Sequence, residues 1–283
     1  MSELAYEIAG RLSRSGSTSP GPESRILVCH VLGLTPGQLM LVDEVPTEAR
    51  DILDALVSRR IAGEPLQYLT GQAHFRHETL RVGPGVFIPR PETEEMVGWA
   101  LQRLAERPAE RRRVVELCAG SGAISAALTG ELGGLDVHAV ELSVDAFRYL
   151  ELNLADREVE LLLGDMSDAF PELDGSVDLV IANPPYVPEQ HRNLLPSDVV
   201  DHDPHLALFA GPDGLAALRV VARVARRLLA HGGLVAAEHD ESHAKVVREV
   251  FAAAGFEDVH THPDLTTRPR FVTARQHLGL VRD

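Results

Sequence analysis

The sequence is poor in cysteine and aromatic residues and contains no long apolar run. Its 283 residues include two cysteines, one tryptophan and 5% aromatic residues. Cys29 and Cys118 lie far apart in different kinds of segment, which gives no indication of a disulfide framework or a cysteine-based zinc site and is typical of a reducing compartment. We find neither a basic-then-apolar N-terminal segment nor an apolar run of about eighteen residues. We therefore expect a cytoplasmic protein without a membrane partner.

Positive charge is also scarce. The chain carries 42 acidic residues against 27 Lys and Arg, which gives a formal net charge of −15. Such a balance opposes nonspecific attraction to a polyanionic backbone, so we expect no direct nucleic-acid binding. With 45% apolar and 24% charged residues, the composition is that of a globular protein with a sizeable core.

The first part of the chain has helical periodicity. Apolar residues recur at helical spacing near 4–12, 22–32 and 47–61, with Pro22 suited to the first turn of a helix and Gly33 to its end. We predict a helical domain over 1–72. It shows no catalytic constellation, so we expect it to bind a partner.

The period changes between residues 73 and 90. Alternating residues from Phe75 to Val82 and the Gly83–Gly85 turn, which leads into 86–88, predict a β-hairpin linker over 73–90. A domain over 91–283 follows, and its first helix is predicted to be capped by Thr93.

Strands and helices alternate in this last domain. Strands are expected at 114–115, 135–140, 159–163, 177–182 and 234–237, and an antiparallel edge hairpin at 256–262 and 270–274. Alternation of this kind predicts an α/β fold whose parallel sheet is covered on both faces and binds ligands beyond the carboxyl ends of its strands.

The first of these strands leads into a glycine-rich loop, 116–122, and a helix starting at Ala123. Glycines at this position let the backbone approach a ligand, and the helix N-terminus favours an anion. Glu141, at the end of the next strand, has the spacing of an acid that binds both ribose hydroxyls. A dehydrogenase is a weaker interpretation, because the third glycine expected near Ser125 is absent and Cys118 stands where a glycine would be expected.

Two further strand ends carry polar residues. Asp165 and Met166 follow the third strand and are suited to an adenine, through a hydrogen bond and packing respectively. Asn183-Pro184-Pro185-Tyr186 follows the fourth. Asn183 and the Pro184 carbonyl are able to accept both hydrogens of a planar amino group while Tyr186 covers its face, although the same motif also occurs as a rigid turn.

Several segments together carry a family resemblance: 63–71, 87–94, the glycine-rich loop, 183–186 and 211–215. On these motifs the chain resembles the HemK/PrmC family of class I S-adenosylmethionine-dependent methyltransferases. That family methylates the side-chain amide N5 of glutamine in the Gly-Gly-Gln motif of class 1 peptide chain release factors. The resemblance implies a Rossmann-like domain with a mostly parallel seven-stranded sheet, plus a small N-terminal helical domain joined to it by a β-hairpin.

The same resemblance implies the roles of individual residues. The catalytic set is Asn183, Pro184 and Tyr186, and Pro185 completes the substrate contact. S-adenosylmethionine, which leaves as S-adenosylhomocysteine, is expected to contact Phe87, Arg90, Glu116, Cys118, Ala119, Gly120, Gly122, Glu141, Asp165, Met166 and Asn183. Glu116 and Cys118 depart from the family's usual Asp and small residue.

Three alternatives stay open from the sequence. They are glutamine methylation of a ribosomal protein, adenine-N6 methylation of DNA, and a non-catalytic module that retains the cofactor fold. The clusters Asp201–His205 and Glu238–Asp240 lack the spacing of a metal site, so no metal is expected. The arginines at 268, 270 and 275 are expected to be solvated.

Overall fold

The computed structural model describes residues 2–41, 45–109, 112–195 and 197–277. It divides into two compact units, unit 1 with Met1–Gln72 and Pro196–His202, and unit 2 with Ala73–Leu195 and Asp203–Asp283. The boundaries of 1–72, 73–90 and 91–283 stay predictions. Within the described part of the chain, no helix combines the length and apolar character needed to cross a bilayer.

Eleven α-helices and nine strands are found among the described residues. The helices are α1 (Ser2–Arg14), α2 (Pro20–Leu32), α3 (Thr47–Ile61), α4 (Leu66–Thr70), α5 (Glu92–Ala105), α6 (Ala123–Glu131), α7 (Val144–Leu154), α8 (Ser197–His202), α9 (His205–Leu208), α10 (Ala216–Leu228) and α11 (Ala244–Ala253). The strands are β1 (Gln72–Phe75), β2 (Glu78–Arg81), β3 (Arg113–Leu117), β4 (Asp136–Glu141), β5 (Val159–Leu163), β6 (Val177–Ala182), β7 (Leu229–Glu238), β8 (Glu257–Pro263) and β9 (Pro269–Arg275).

Unit 1 is helical, as predicted. Helix α2 begins at Pro20, two residues earlier than expected, and ends at Gly33, whose φ of 65° is left-handed. Arg60 of α3 donates to both carboxylate oxygens of Glu23 in α2, at 3.1 and 3.0 Å, which ties the two helices together. The apolar interior is formed by Ile8, Leu12, Leu27, Val28, Leu39, Leu53, Val57 and Leu69.

Unit 2 contains the predicted seven-stranded sheet. Its strand order is β5-β4-β3-β6-β7-β9-β8. The five strands β5, β4, β3, β6 and β7 are parallel to one another, and β9 and β8 add the predicted antiparallel edge. Side chains along a strand alternate between the two faces: Val115 and Leu117 of β3 pack in the core with α10 and α11, whereas Val114 packs in the core with α5, α6 and α7. The predicted α/β fold is confirmed.

The hairpin that precedes this sheet turns earlier than predicted. The β1–β2 turn lies at Arg76 and His77 rather than at Gly83–Gly85, and residues 86–88 form no strand. Arg76 adopts a φ of 51°, and Glu94 stabilises this turn by accepting from its backbone N–H at 3.0 Å. Residues 86–88 are flanked by Pro84 and Pro89, which have no N–H to contribute to a ladder.

The start of α5 also differs from prediction. Its N-cap is Pro91, and Thr93 directs its hydroxyl to a residue distant in sequence instead of capping the helix. The reason is tertiary: the side chain of Thr93 is buried and its hydroxyl has an acceptor at the carboxyl end of β7.

Candidate active site

The register of the sheet places most of the predicted site residues along one edge. Leu117 pairs with Val140 on one side and with Ala182 on the other, and Ala182 pairs with Ala237. The residues that follow these positions therefore emerge side by side at the carboxyl ends of four adjacent strands. They are Cys118 after β3, Glu141 at the end of β4, Asn183 after β6 and Glu238 at the end of β7.

The loop between β3 and α6 follows a left-handed course. Cys118, Gly120 and Gly122 have φ values of 58°, 56° and 78°. A Cβ on Gly122 would lie 2.7 Å from Leu150 Cδ1, so this glycine is needed for α6 to pack on α7. A Cβ on Gly120 would meet no described atom within 4 Å, so its importance lies in its conformation and in the backbone surface that it leaves open.

The carboxyl group of Glu116 lies at the N-terminus of α6. Its Oε2 accepts from the backbone N–H of Ser125 at 2.9 Å and also from the Ser125 hydroxyl. The sequence predicted that this helix terminus would hold a ligand anion, but part of it is already occupied by this side chain. Burial raises the pKa of Glu116 to about 8, against the lowering effect of the Ser125 hydrogen bonds.

Cys118 has a left-handed backbone at a position that favours glycine. Its Sγ lies 3.6 Å from Met166 Sδ, so the side chain packs beneath the predicted adenine region. Burial, followed by the charges of Glu141, Glu116 and Asp165, raises the pKa of this thiol. Cys118 is therefore a neutral packing residue and no nucleophile.

Glu141 uses both of its oxygens to organise the adjacent backbone. Oε2 accepts from the N–H of Gly120 at 2.8 Å, and Oε1 accepts from the N–H of Ser143 at 2.7 Å. A carboxylate oxygen has a second lone-pair site, so each retains capacity for a further donor such as a hydroxyl. These bonds hold the carboxylate in a fixed position at the edge of the glycine-rich loop.

Asp165 caps the short turn that follows β5. Its Oδ1 accepts from the backbone N–H of Ser167 at 2.8 Å and from the Ser167 hydroxyl. These bonds lower the pKa of Asp165 and keep it ionised at neutral pH. Among the described residues none donates to Oδ2, so this exposed oxygen can accept from a ligand.

Asn183 is held in one orientation by its neighbours. Its Nδ2 donates to Thr93 Oγ1 at 3.2 Å, and Thr93 in turn donates to Glu238 Oε2 at 2.6 Å. The other carboxylate oxygen, Oε1, accepts from the Tyr186 hydroxyl at 3.0 Å. No described residue donates to Asn183 Oδ1 or to the Pro184 carbonyl, so the site presents two acceptors on adjacent residues.

The charges of Glu238 and of a facing arginine act on this network. Glu238 is buried, and burial raises its pKa while the bonds from Thr93 and Tyr186 and the charge of Arg270 lower it. Burial and the neighbouring Glu238 charge raise the pKa of Tyr186 well above its usual value. Tyr186 therefore remains a protonated donor.

Comparison with known proteins agrees with this arrangement. Residues 3–71 match the model of the PrmC N-terminal domain, and residues 84–201 match that of the methyltransferase small domain. The release factor glutamine methyltransferase of Streptomyces coelicolor is 45% identical over 282 residues, 98% of this chain and 100% of that protein. The chain belongs to the release factor glutamine methyltransferase family.

The chain is also similar to a methyltransferase that is named for a different substrate and to a more distant solved structure. A 4-amino-L-phenylalanine/4-methylamino-L-phenylalanine methyltransferase of Streptomyces pristinaespiralis is 38% identical over 260 residues, covering 90% of this chain and 88% of that one. A methyltransferase from Pyrococcus furiosus, at 17% identity, superposes with a TM-score of 0.51 over 70% of this chain and 88% of its own. The second likeness shows the shared fold alone.

Phe87 and Arg90 of this methyltransferase lie on the segment between the hairpin and α5. Arg90 Cζ lies 5.1 Å from the centroid of the Phe87 ring, and its Nη2 donates to Asp203 at 2.6 Å. Asp203 is buried, so this ion pair fixes the segment 87–90 to the chain that follows the Asn-Pro-Pro-Tyr motif. Glu94 lies on α5 and accepts from the backbone N–H of Arg76 in the hairpin turn.

In the methyltransferase, residues of the clusters Asp201–His205 and Glu238–Asp240 have separate partners. Asp203 pairs with Arg90, His205 contacts Arg192 at 3.1 Å, and Asp240 caps a turn through the N–H of Ser242 at 2.9 Å. Within the described ranges, no three His, Cys, Asp or Glu residues gather as metal ligands.

Sequence reasoning missed three residues of the site. Thr93 was predicted to cap its helix, Glu238 was placed in a polar cluster for which no metal was expected, and Arg270 was expected to be solvated. The prediction for Arg270 is wrong, because its side chain is 14% exposed and its charge faces Tyr186 and Glu238. The neighbouring positions of β6 and β7 in the sheet were the signal that would have linked Glu238 to Asn183.

Proposed function

We propose that this enzyme transfers a methyl group from S-adenosylmethionine to the side-chain amide nitrogen of the glutamine in the Gly-Gly-Gln motif of class 1 peptide chain release factors. One observation carries the proposal: Asn183 is bonded through Nδ2, so Oδ1 and the Pro184 carbonyl remain as two acceptors for one NH2 group. The substrate class is supported by the Streptomyces coelicolor relative, which matches this chain over its full length. A cytoplasmic location and the absence of a membrane or nucleic-acid partner are part of the same proposal.

The residues at the strand ends fit S-adenosylmethionine. Glu141 would accept from the ribose hydroxyls, Asp165 would accept from the adenine amino group, and Met166 would pack on the base. Backbone of the loop Glu116–Gly122, with Cys118, Ala119 and Gly120, would hold the methionyl end. Phe87 and Arg90 would line the entrance, and the bound cofactor would supply an electrophilic sulfonium methyl group.

An amide nitrogen is a poor nucleophile because its lone pair is delocalised into the carbonyl. By accepting both N–H groups, Asn183 Oδ1 and the Pro184 carbonyl would aim that lone pair along one direction. Pro185 would keep the backbone extended, and the Tyr186 ring would cover the amide face. Holding two reactants in such a geometry can remove roughly 7–11 kcal/mol from a barrier, and the two acceptors also stabilise positive charge that develops on the nitrogen.

The acceptor pair selects a functional group, whereas the choice of substrate requires other surfaces. An aryl amine also presents a planar NH2 whose lone pair is delocalised, and the relative from Streptomyces pristinaespiralis is named for such a substrate. We assign the selection of the release factor to the helical domain over 1–72, which matches the PrmC N-terminal domain. A ribosomal-protein glutamine and 4-amino-L-phenylalanine are the competing substrates.

The test uses labelled S-adenosylmethionine with a purified release factor, both unchanged and with its Gly-Gly-Gln glutamine replaced by alanine. We expect label only on the unchanged factor and none on ribosomal proteins or 4-amino-L-phenylalanine. Label on neither release factor would refute the substrate, and label on both would place the modified residue elsewhere.

The role of Asn183 is tested separately with Asn183→Ala. We expect turnover to fall by about 10²–10³-fold, as for loss of one preorganised polar group at a reacting centre. Cofactor affinity, measured by calorimetry, should change little. Turnover near that of the wild type at equal cofactor affinity would show that Asn183 does not hold the amide.

A further inference from the structure

A chain of hydrogen bonds leads from a buried carboxylate to the amide of Asn183. Glu238 accepts at Oε2 from the Thr93 hydroxyl, 2.6 Å away, and Thr93 Oγ1 accepts from Asn183 Nδ2 at 3.2 Å. Thr93 and Glu238 are 3% and 2% exposed. Bulk water therefore has little access to these side chains, and the direction of each bond is set by the protein.

The direction of the bonds follows from the number of protons. Thr93 has one hydroxyl proton and gives it to Glu238, so its oxygen can only accept from Asn183. A flipped Asn183 amide would bring Oδ1 against the Thr93 oxygen with no proton between them. The same flip would aim Nδ2 at the substrate, where an NH2 donor would then meet another donor.

We propose that Thr93 and Glu238 are positioning residues that lock the Asn183 amide with Oδ1 turned toward the substrate nitrogen. The role of this lock in turnover rests on the proposed function, because it concerns the same amino-group site. Neither residue touches the reacting atoms. Their effect passes through Asn183 and, for Glu238, through Tyr186, whose hydroxyl donates to Oε1 at 3.0 Å.

Electrostatics support an acceptor role for Glu238. Both of its oxygens receive O–H donors, and the cationic Arg270 faces it from β9. A buried charge is tolerated when it is hydrogen-bonded and balanced by an opposite charge. Arg270 is itself mostly buried and is also paired with Asp264 at 3.4 Å, so it is held in place beside the carboxylate.

The test compares Thr93→Val, which keeps the shape but removes the hydroxyl, with Thr93→Ser, which keeps the hydroxyl. We expect Thr93→Val to lower kcat on the release factor by about 10–100-fold, the effect of an unsatisfied buried polar group. Thr93→Ser should stay within about 3-fold of the wild type, and cofactor affinity should be nearly equal in both variants. Equal damage by both variants, or a Thr93→Val enzyme with at least half of the wild-type kcat, would overturn the proposal.

A matched control is Thr261→Val on β8. Among the described residues its hydroxyl contacts only the Ala244 carbonyl, at 3.4 Å, and it lies on the edge strand of the sheet. This variant should retain the wild-type kcat. A loss equal to that of Thr93→Val would show that the effect is general destabilisation and would overturn the assignment.

A second readout does not depend on the substrate. Hydrogen exchange of the ¹⁵N-labelled Asn183 side-chain amide, assigned by its absence in Asn183→Asp, should be slow in the wild type and in Thr93→Ser. Exchange at least about 10-fold faster is expected in Thr93→Val, because Nδ2 loses its acceptor. Unchanged exchange would refute the lock even if methyl transfer occurs. If the wild type does not methylate the release factor, the proposed function fails while this measurement still decides the orientation of Asn183.

Discussion

Gly214 offers a demanding test of how the Asn-Pro-Pro-Tyr segment is held. Its φ is 70°, and a Cβ at this position would lie 2.4 Å from the Tyr186 carbonyl oxygen, 2.9 Å from His243 Cε1 and 3.0 Å from Pro188 Cδ. The first contact is with backbone and cannot be relieved by rotation of a side chain. Gly214→Ala must therefore displace Tyr186 or the loop that carries residue 214.

The expected cost has two parts. A left-handed non-glycine backbone costs about 1–2 kcal/mol, and the contact with Tyr186 requires a shift of nearly 1 Å to reach an ordinary van der Waals separation. A misplacement of this size near a reacting group lowers the rate by about 100-fold. We therefore expect Gly214→Ala to lose stability and also to lose most of its kcat.

The variant Gly175→Ala separates the cost of the left-handed backbone from the cost of the contact with Tyr186. Gly175 has the same φ of 70°, but a Cβ there would meet no described atom within 4 Å. The free energy of unfolding of Gly175→Ala should fall by about 1–2 kcal/mol, whereas its kcat should be unchanged. Chemical denaturation would measure the first quantity, and methyl transfer at saturating cofactor would measure the second. If Gly214→Ala retains a kcat within about 2-fold of Gly175→Ala, the close packing on Tyr186 has no role in catalysis.

Three shorter predictions concern the buried groups at the strand ends. Because the pKa of Glu116 is raised to about 8 in the folded protein, the free energy of unfolding should fall as pH rises from 4.5 to 8. Glu116→Gln should lack this fall in urea titrations at several pH values, and parallel profiles would contradict the buried carboxyl. Replacing Cys118, with its φ of 58°, by Gly should raise the free energy of unfolding by up to about 1 kcal/mol, and a decrease would show that packing on Met166 matters more. Burial raises the pKa of Glu238 against the lowering effects of the Thr93 and Tyr186 hydrogen bonds and of Arg270, so kcat should rise with pH as Glu238 ionises. A low but pH-independent kcat is expected for Glu238→Gln, and a pH profile like that of the wild type would contradict this.

The fold and the convergence of the strand ends at one edge of the sheet could be predicted because the signals are local. Buried parallel strands appear as apolar runs such as 177–182, and polar residues at their ends converge whatever the loops do. The edge position of Glu141 and Asn183 followed from this alone. The hairpin turn at Arg76 was harder, because its left-handed backbone is stabilised by Glu94 and Glu131 from elsewhere in the chain.

The contacts of Thr93 and Arg270 with Glu238 could not be predicted from the sequence, because they depend on tertiary packing. Thr93 has the residue type and the position that are typical of a helix cap. Only the packing of α5 against the sheet brings it into contact with Glu238, which lies 145 residues later in the sequence. Arg270 shares β9 with Arg275, and because the two are five residues apart they lie on opposite faces of the strand. The face of the sheet on which a polar residue of β9 lies follows from the pairing of β9 between β7 and β8, which the sequence of this strand alone does not specify.

The carboxylates of the site argue against general base catalysis at the amide. Glu116 is bonded to Ser125, and Glu141 is bonded to two backbone N–H groups. Glu238 accepts from Thr93 and Tyr186 and is separated from the substrate position by Asn183 itself. In the proposed binding geometry, a base would also have to approach a nitrogen whose two hydrogens are directed at Asn183 Oδ1 and the Pro184 carbonyl. Methylation makes an amide nitrogen strongly acidic, so its proton can pass to water once the methyl group has transferred, and the proposed mechanism requires only that the lone pair be oriented.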